Sequence, residues 1–257
     1  MSKIYSILNF KGGTGKSSLT ENLADALRRK EKKVLVIDGD RQTNASTTLL
    51  QGHRTPTLTE VFQGQATLQE AMFEAKPGLW VVPSSGKLDE ASTYITIHRN
   101  AYYTVRRQLA QLEGFDFVLI DHAGAYTPAM EALLLASDAM LIPCELEPYA
   151  VGGLFNMFQK LQETLIDHTL QNSGIIPYNV DLRYGMTRQY LKELNDEFNG
   201  LVAAPIRTDA AVRNAQSMQM TVFEYEEEYK ENSRAADDFR GLADDLIEAQ
   251  EGSIVIG

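Results

Sequence analysis

Short apolar runs of strand length alternate along this chain with longer segments whose apolar residues recur at helical spacing. The alternation predicts βαβ units and an α/β fold, a mainly parallel twisted sheet of about seven strands with helices on both faces. The predicted strands lie near 3–9, 34–38, 79–83, 116–121, 138–143, 174–180 and 201–206. The predicted helices lie near 17–30, 57–63, 100–113, 128–136, 151–167, 187–199, 209–217 and 233–249.

Length and composition limit the possible classes. With 257 residues, 44% of them hydrophobic, the chain is long enough for one large α/β domain and short for two, so residues 1–257 are predicted to form a single domain. No stretch has the pattern of a signal peptide or a membrane helix, so we expect a cytoplasmic protein without a membrane partner. The single cysteine, Cys144, excludes a disulfide within one chain and a four-cysteine metal site. The net charge of −11 requires any DNA-binding surface to be local.

The first predicted strand leads into a glycine-rich loop, which runs Lys11-Gly12-Gly13-Thr14-Gly15-Lys16-Ser17-Ser18. A loop of this kind at a helix N-terminus directs backbone N–H groups at phosphates, with Lys16 for the β- and γ-phosphates and Ser17 for Mg²⁺. The usual phosphate-loop pattern has glycine where Phe10 stands, and this chain adds a second lysine, Lys11. Lys11 is badly placed for its own site, so it either reaches a nucleotide in a partner subunit or is a solvated surface residue.

The second predicted strand ends in two acids, Asp38 and Asp40. Ligands of parallel sheets bind at the carboxyl ends of the strands, and alternation would turn both acids to the same side. One acid could orient an attacking water, and the other could hold Lys16 or the waters of the metal. The alternative is that both acids simply end a strand in a turn.

The fourth predicted strand also ends in an acid, Asp121, which is followed by His122 and Gly124. An aspartate at this position holds Mg²⁺ in P-loop proteins, directly or through water. Gly124 could let the backbone approach the γ-phosphate. We expect His122 to point away from the site and to be packed or solvated, because it lies one residue further along the strand.

Together these motifs resemble the ParA/MinD family of deviant Walker A ATPases, which belong to the SIMIBI class of P-loop NTPases. The loop resembles the deviant Walker A motif, Asp38 to Asn44 resembles D-x-D-P-Q-x-N, and Asp121 to Gly124 resembles D-T-A-G. Weaker matches follow in the same order as in the family, at 142–148, 174–183, 205–207 and 215–217. The resemblance covers nearly the whole chain.

The resemblance implies a role for each matching residue. Lys11 would contact the nucleotide across an ATP sandwich dimer, Ser18 would contact the α-phosphate, and Asp40 would position water for hydrolysis. Lys16 would be the P-loop lysine, while Ser17, Asp38 and Asp121 would serve the metal. The remaining implied contacts, to the adenine or to the partner's nucleotide, are Glu147, Tyr178, Asn179 and Pro205. The cofactors would be ATP and Mg²⁺.

Two residues depart from the family pattern. Arg41 replaces the usual proline after the second acid, and His122 stands where a small or hydroxyl residue is commoner. Each could alter the turn geometry and the hydrolysis rate, but neither removes a catalytic group.

Other features favour the ParA branch of the family. A single cysteine cannot supply the iron–sulfur bridge of the nitrogenase iron protein, and the acidic, apolar C-terminal segment 242–257 differs from the basic membrane helix of MinD-type proteins.

ParA dimers bind nonspecific DNA in the ATP state. The candidate DNA-binding residues are Arg183, Arg188, Lys192, Arg207 and Arg213, although solvated charges are the alternative. The acidic segment 224–229 is either a solvated helix start or a docking surface for a basic partner.

We therefore expect a cytoplasmic, nucleoid-associated ATPase that forms a homodimer with ATP, binds nonspecific DNA and releases it after hydrolysis stimulated by an adaptor protein. The cargo would be a plasmid or chromosome. One alternative is a protein cargo, such as a carboxysome or a chemosensory cluster. Another is a biosynthetic or metal-cluster ATPase that does not bind DNA.

Overall fold

One seven-stranded sheet forms the centre of the computed structural model, which describes residues 2–165, 168, 170 and 174–250. The strands are β1 Lys3–Ile7, β2 Val34–Gly39, β3 Phe73–Lys76, β4 Leu79–Val82, β5 Phe117–His122, β6 Ala139–Cys144 and β7 Gly174–Pro177. Their order across the sheet is β3-β4-β2-β5-β1-β6-β7. Only the pair β3 and β4 is antiparallel within the described residues, so the predicted α/β sheet is confirmed.

Eleven α-helices occur in the described part of the chain. They are α1 Lys16–Arg29, α2 Asn44–Leu50, α3 Leu58–Phe62, α4 Leu88–Ile97, α5 Thr104–Leu109, α6 Pro128–Leu134, α7 Ala150–Thr164, α8 Gly185–Glu197, α9 Ala210–Ser217, α10 Val222–Tyr229 and α11 Arg234–Gln250. No helix among these is both long and apolar enough to cross a membrane.

The buried strands supply alternate residues to cores on the two faces of the sheet. In β2, Val34 and Val36 belong to the core under α1, α10 and α11, whereas Leu35 and Ile37 belong to the opposite core under α3 to α6. Helices α7 and α8 pack on a third core, beside β6 and β7. Because both faces are covered, a continuous apolar run is the expected pattern for such a strand.

One predicted strand was wrong and one observed strand was not predicted. Residues 201–206 form no strand; only two isolated bridges, Ile175 to Val202 and Val180 to Arg207, join this segment to the region of β7. Pro205 has no N–H to donate, which interrupts a regular ladder. The missed strand is β3, a short edge strand whose side chains are only partly buried.

The helix predictions also need correction. The predicted helix at 100–113 is a 3-10 helix, Arg99–Tyr103, followed by α5. Helices α2, α4 and α10 were not predicted, although the acidic segment 224–229 lies in α10. The end of the predicted helix at 151–167 falls partly outside the described residues, as do residues 251–257 of the C-terminal segment.

Candidate active site

The loop between β1 and α1 has the conformation of an anion-binding site. Gly13 and Gly15 have φ values of 77° and 87°, and Gly15 is the N-cap of α1. A Cβ atom at Gly15 would overlap the ring of Tyr178, so this position requires glycine for both its conformation and its space. The positive end of the helix dipole therefore faces the cavity described below.

Lys16 is the first residue of α1, and its side chain is largely buried in the loop. Its ammonium donates to the carbonyl oxygen of Lys11 at 3.1 Å. Burial lowers the pKa of Lys16, while the charges of Asp121 and Asp40 oppose that change. Gly124 lies next to the ammonium, since a Cβ atom at this position would be 3.6 Å from Nζ of Lys16.

Asp121 lies at the end of β5 and is fully buried behind the phosphate loop. Thr20 donates to its Oδ1 at 3.3 Å, whereas Oδ2 has no hydrogen-bond donor among the described residues. Burial, followed by the charge of Asp38, raises the pKa of Asp121 to about 8, and Ser17 and Lys16 act in the opposite direction. A buried carboxylate oxygen without a donor, next to a serine hydroxyl, fits a magnesium ion.

The two acids after β2 have different surroundings. Asp38 is buried and accepts from the Ser46 N–H at 2.8 Å, from the Ser46 hydroxyl at 2.5 Å and from the Asp40 N–H at 3.0 Å. Burial raises its pKa to about 6. Asp40 lines the cavity, but Asp38 does not. The prediction that both acids face the phosphate site is therefore wrong for Asp38, because β2 ends at Gly39 and its alternation stops there.

His122 and Glu21 are two further buried groups near this centre. His122 points away from the loop, and its Nε2 lies 2.7 Å from the Ser6 hydroxyl. Burial lowers its pKa to about 3, so it is the packed histidine of the sequence prediction. Glu21 was not predicted. Burial, together with the charge of Asp121, raises its pKa well above the usual value. Nothing in the sequence distinguished it, because α1 contains other buried polar residues, such as Asn22 and Asp25.

A cavity of about 850 Å³ opens above the phosphate loop. Nine of the predicted nucleotide or catalytic residues line it: Gly12, Gly13, Gly15, Lys16, Ser17, Ser18, Asp40, Tyr178 and Asn179. Six others that were predicted for the nucleotide or the metal lie outside its wall: Lys11, Thr14, Asp38, Asp121, Glu147 and Pro205. Wall residues that the sequence did not indicate include Leu88, Asp89 and Ser92 of α4 and Val212 of α9. This volume is in the range of small-molecule sites.

Tyr178 and Asn179 connect β7 to the cavity. The Tyr178 hydroxyl donates to the Ser18 hydroxyl at 2.8 Å, and its ring packs on Gly15. Asn179 has a φ of 58°, and its carbonyl accepts from Thr208 at 2.8 Å. Tyr178 thus supports the phosphate loop from behind, while Asn179 forms part of the wall.

Lys11 is paired with acids of the loop between β6 and α7. Its ammonium lies 2.7 Å from Glu147 and 3.7 Å from Glu145, and these charges raise its pKa. Lys11 and Glu147 line a second, smaller cavity together with Tyr149, whose side chain is almost fully exposed. The two residues predicted to reach a partner's nucleotide are therefore in contact with each other.

The predicted DNA-binding residues do not form one patch. Arg183 pairs with Asp181, and Arg207 is held by Asp238 through both carboxylate oxygens. Arg207 and Arg213 line the cavity. Arg188 and Lys192 are exposed on α8, although Arg188 donates to the carbonyl of Leu182 at 2.6 Å. A DNA contact by any of these residues stays a prediction.

This fold, together with a glycine-rich loop that buries Lys16 at a helix N-terminus, defines a P-loop NTPase. A family model described as an AAA domain matches residues 2–177. The chain belongs to that family, as a P-loop ATPase of the ParA/MinD type.

Individual relatives are similar over most of their length. The chromosome partitioning protein ParA of Caulobacter vibrioides is 28% identical over 233 residues, which are 87% of each chain. Cobyrinic acid a,c-diamide synthase of Mycobacterium smegmatis, with a bound ATP analogue and magnesium, has a TM-score of 0.80 at 22% identity and covers 100% of this chain and 98% of its own. The ATP complex of McdA from Cyanothece also has a TM-score of 0.80 at 22% identity, over 98% and 96% of the two chains.

Proposed function

We propose that the protein is a partition or positioning ATPase that binds ATP with Mg²⁺, forms a sandwich dimer in that state and hydrolyses ATP when an adaptor protein stimulates it. The ATP-bound dimer binds DNA without sequence preference, and hydrolysis releases it. The cycle moves a cargo, in the first place a plasmid or chromosome, along the nucleoid in the cytoplasm. Support comes from the family and from the similarity to the Caulobacter ParA protein.

The observation that carries the proposal is the arrangement of Lys16 and Asp121 behind the loop. Lys16 contributes a buried ammonium, and Oδ2 of Asp121, a residue on which Ser17 acts, has no donor among the described residues. This combination of charges fits a phosphate chain with a divalent cation. Ser17 and Asp121 would hold Mg²⁺, which neutralises charge on the phosphates when it is bound.

The residues of the phosphate loop and of the cavity wall have separate tasks in this reaction. The backbone N–H groups of residues 12–15 and the ammonium of Lys16 bind and orient the phosphates. Asp40 accepts the Gln42 N–H at 2.9 Å through Oδ1, which fixes its carboxylate on the cavity wall. From there Asp40 orients the attacking water by accepting a hydrogen bond from it. Tyr178 and Gly124 limit the space around the loop.

Binding of fluorescent ATP with Mg²⁺ and release of phosphate test the site. Lys16→Ala is expected to abolish binding, because the buried ammonium is lost from the phosphate site. Asp40→Ala is expected to bind ATP normally and to lower turnover by about 100-fold or more. Lys33→Ala, which removes an exposed lysine away from the cavity, is the matched control. Wild-type affinity in Lys16→Ala would contradict the phosphate-loop assignment, and unchanged turnover in Asp40→Ala would contradict the role of Asp40.

A further inference from the structure

Arg41 occupies a position on the cavity wall that the proposed function does not use. It follows Asp40 directly, and both residues line the cavity together with Lys16. The negative charge of Asp40 acts on Lys16, so this part of the wall belongs to the phosphate side of the site. The proline expected here from the family pattern would carry no charge, and Arg41 therefore adds a cation to the phosphate side.

The guanidinium of Arg41 is held by a residue of α4. Nη1 lies 2.9 Å from Oδ2 of Asp89, and the two side chains are 64% and 65% exposed. Asp89 lines the same cavity, as do Leu88 and Ser92 of the same helix. The ion pair thus connects the loop after β2 with α4 at the mouth of the cavity.

Arg41 is expected to bind a phosphate more strongly than it binds Asp89. An exposed ion pair contributes little to stability, because water screens both charges and two side chains must be ordered. A phosphate offers arginine two parallel charge-assisted hydrogen bonds, which are roughly twice as strong as neutral ones. A polyphosphate in the cavity would therefore compete well against Asp89 for Arg41.

The two other arginines of the wall lie on other parts of the chain, and one of them is firmly held. Arg207 is held by Asp238 through three hydrogen bonds of 2.7 to 3.0 Å and by a fourth bond to the carbonyl of Arg234. Arg213 lies on α9, together with the wall residues Val212 and Gln216. Among the arginines that line the described cavity, Arg41 alone adjoins Asp40 in the chain.

We propose that Arg41 binds the terminal phosphate of the nucleotide and so distinguishes a nucleoside triphosphate from a diphosphate, with Asp89 holding it in the nucleotide-free protein. This inference rests on the proposed ATP binding and adds a specificity-determining residue to it. Asp89 is a competitor in this arrangement: removing its charge frees Arg41 for the triphosphate. The coupling between the two residues is therefore the property to measure.

The test compares the affinities of a non-hydrolysable ATP analogue and of ADP, both with Mg²⁺, at protein concentrations where sizing shows a monomer. Arg41→Ala is expected to weaken the analogue about tenfold and ADP by less than about twofold, which corresponds to one lost charge-assisted contact. Arg41→Lys is expected to retain part of the preference. Asp89→Asn is expected to strengthen analogue binding about threefold in the presence of Arg41 and to have no effect in the Arg41→Ala background.

Arg106→Ala removes an exposed arginine of α5 away from the cavity, and it serves as the matched control for the change in net charge. Equal losses for the analogue and ADP in Arg41→Ala would overturn the inference. So would an Asp89→Asn effect that persists without Arg41, because it would show general repulsion by Asp89. If the wild type binds ATP and Arg41→Ala keeps the same preference, only the Arg41 assignment fails. If the wild type binds no nucleotide, the proposed function fails as well.

Discussion

Three buried acids lie behind the phosphate loop, and their protonation is linked to folding. Burial raises the pKa values of Asp121, Asp38 and Glu21, and Asp121 reaches about 8. Asp121 is therefore mostly protonated at neutral pH in the folded protein without a cation, whereas it is ionised in the unfolded chain. The raised pKa stabilises the folded state at low pH. This stabilisation is lost as the pH rises through about 8.

The first prediction concerns this loss of stability without nucleotide. His122 has a folded pKa of about 3, so it destabilises the protein mainly below its unfolded pKa of about 6.5 and has little effect above it. Between about pH 6.5 and 8, the Asp121 linkage is expected to lower the free energy of unfolding by about 1–2 kcal/mol. Thermal melting would show this as a decrease in Tm of about 2–6 °C.

Asp121→Asn is the control for the melting experiment, since it keeps the shape of the side chain and removes its titration. Its Tm should change much less over the same pH range. A wild-type Tm that is constant or rises between these pH values would contradict the protonated state of Asp121.

The sequence indicated most of the residues that the structure places at the phosphate loop and its cavity, because their motifs follow strands at the carboxyl edge of the sheet. Asp40 and Asp121 could be assigned in this way. The sequence did not show that Asp38 is bonded to Ser46 rather than exposed in the cavity, because this depends on how α2 packs. It also did not place Arg213 on the cavity wall, since that requires the position of α9 against the loop.

At the scale of elements, strands covered on both faces were the easiest to predict. The apolar runs of β2 and β5 are buried throughout, so sequence and structure agree. The edge strand β3 lacks such a run, and the polar, partly buried side chains of this four-residue strand gave no signal. The sequence of α10, in contrast, contains a signal for a helix start, because Thr221 and Glu224 form a capping box.

Two loops are paired at the place where the family resemblance implies a contact with a second subunit. Lys11 in the loop after β1 is held by Glu147 and Glu145 in the loop after β6. The Lys11–Glu147 pair is about half exposed, so it is weak and readily exchanged for another anion. We expect Lys11 to leave these acids when a partner subunit presents a nucleotide.

The prediction for this element is made with Lys11→Ala. Nucleotide affinity of the monomer should change by less than about twofold, because Lys11 lies outside the main cavity, whereas the ATP-dependent dimer should be lost. Sizing with light scattering, with and without ATP, measures the dimer. Lys33→Ala should dimerise like the wild type. A normal dimer in Lys11→Ala would make Lys11 an ordinary surface lysine.

For the whole molecule, charge limits how DNA can be bound. The net charge of −11 repels a polyanion, so binding requires a local arrangement of cations that overcomes this repulsion. The predicted residues are distributed over α8, α9 and their neighbouring loops, and two of them already have acidic partners. A dimer would combine two such sets of cations. This explains why we expect DNA binding in the ATP state alone.

The most direct test of the central claim is binding to a random-sequence DNA duplex without nucleotide, with ADP and with ATP. Each state is measured at about 50 and about 200 mM salt, with Lys16→Ala as the control that cannot bind nucleotide. We predict binding by the wild type with ATP only, and an affinity that falls about tenfold or more at the higher salt concentration. ATP hydrolysis without DNA binding in any state would contradict the account and would favour an ATPase with a fixed active site.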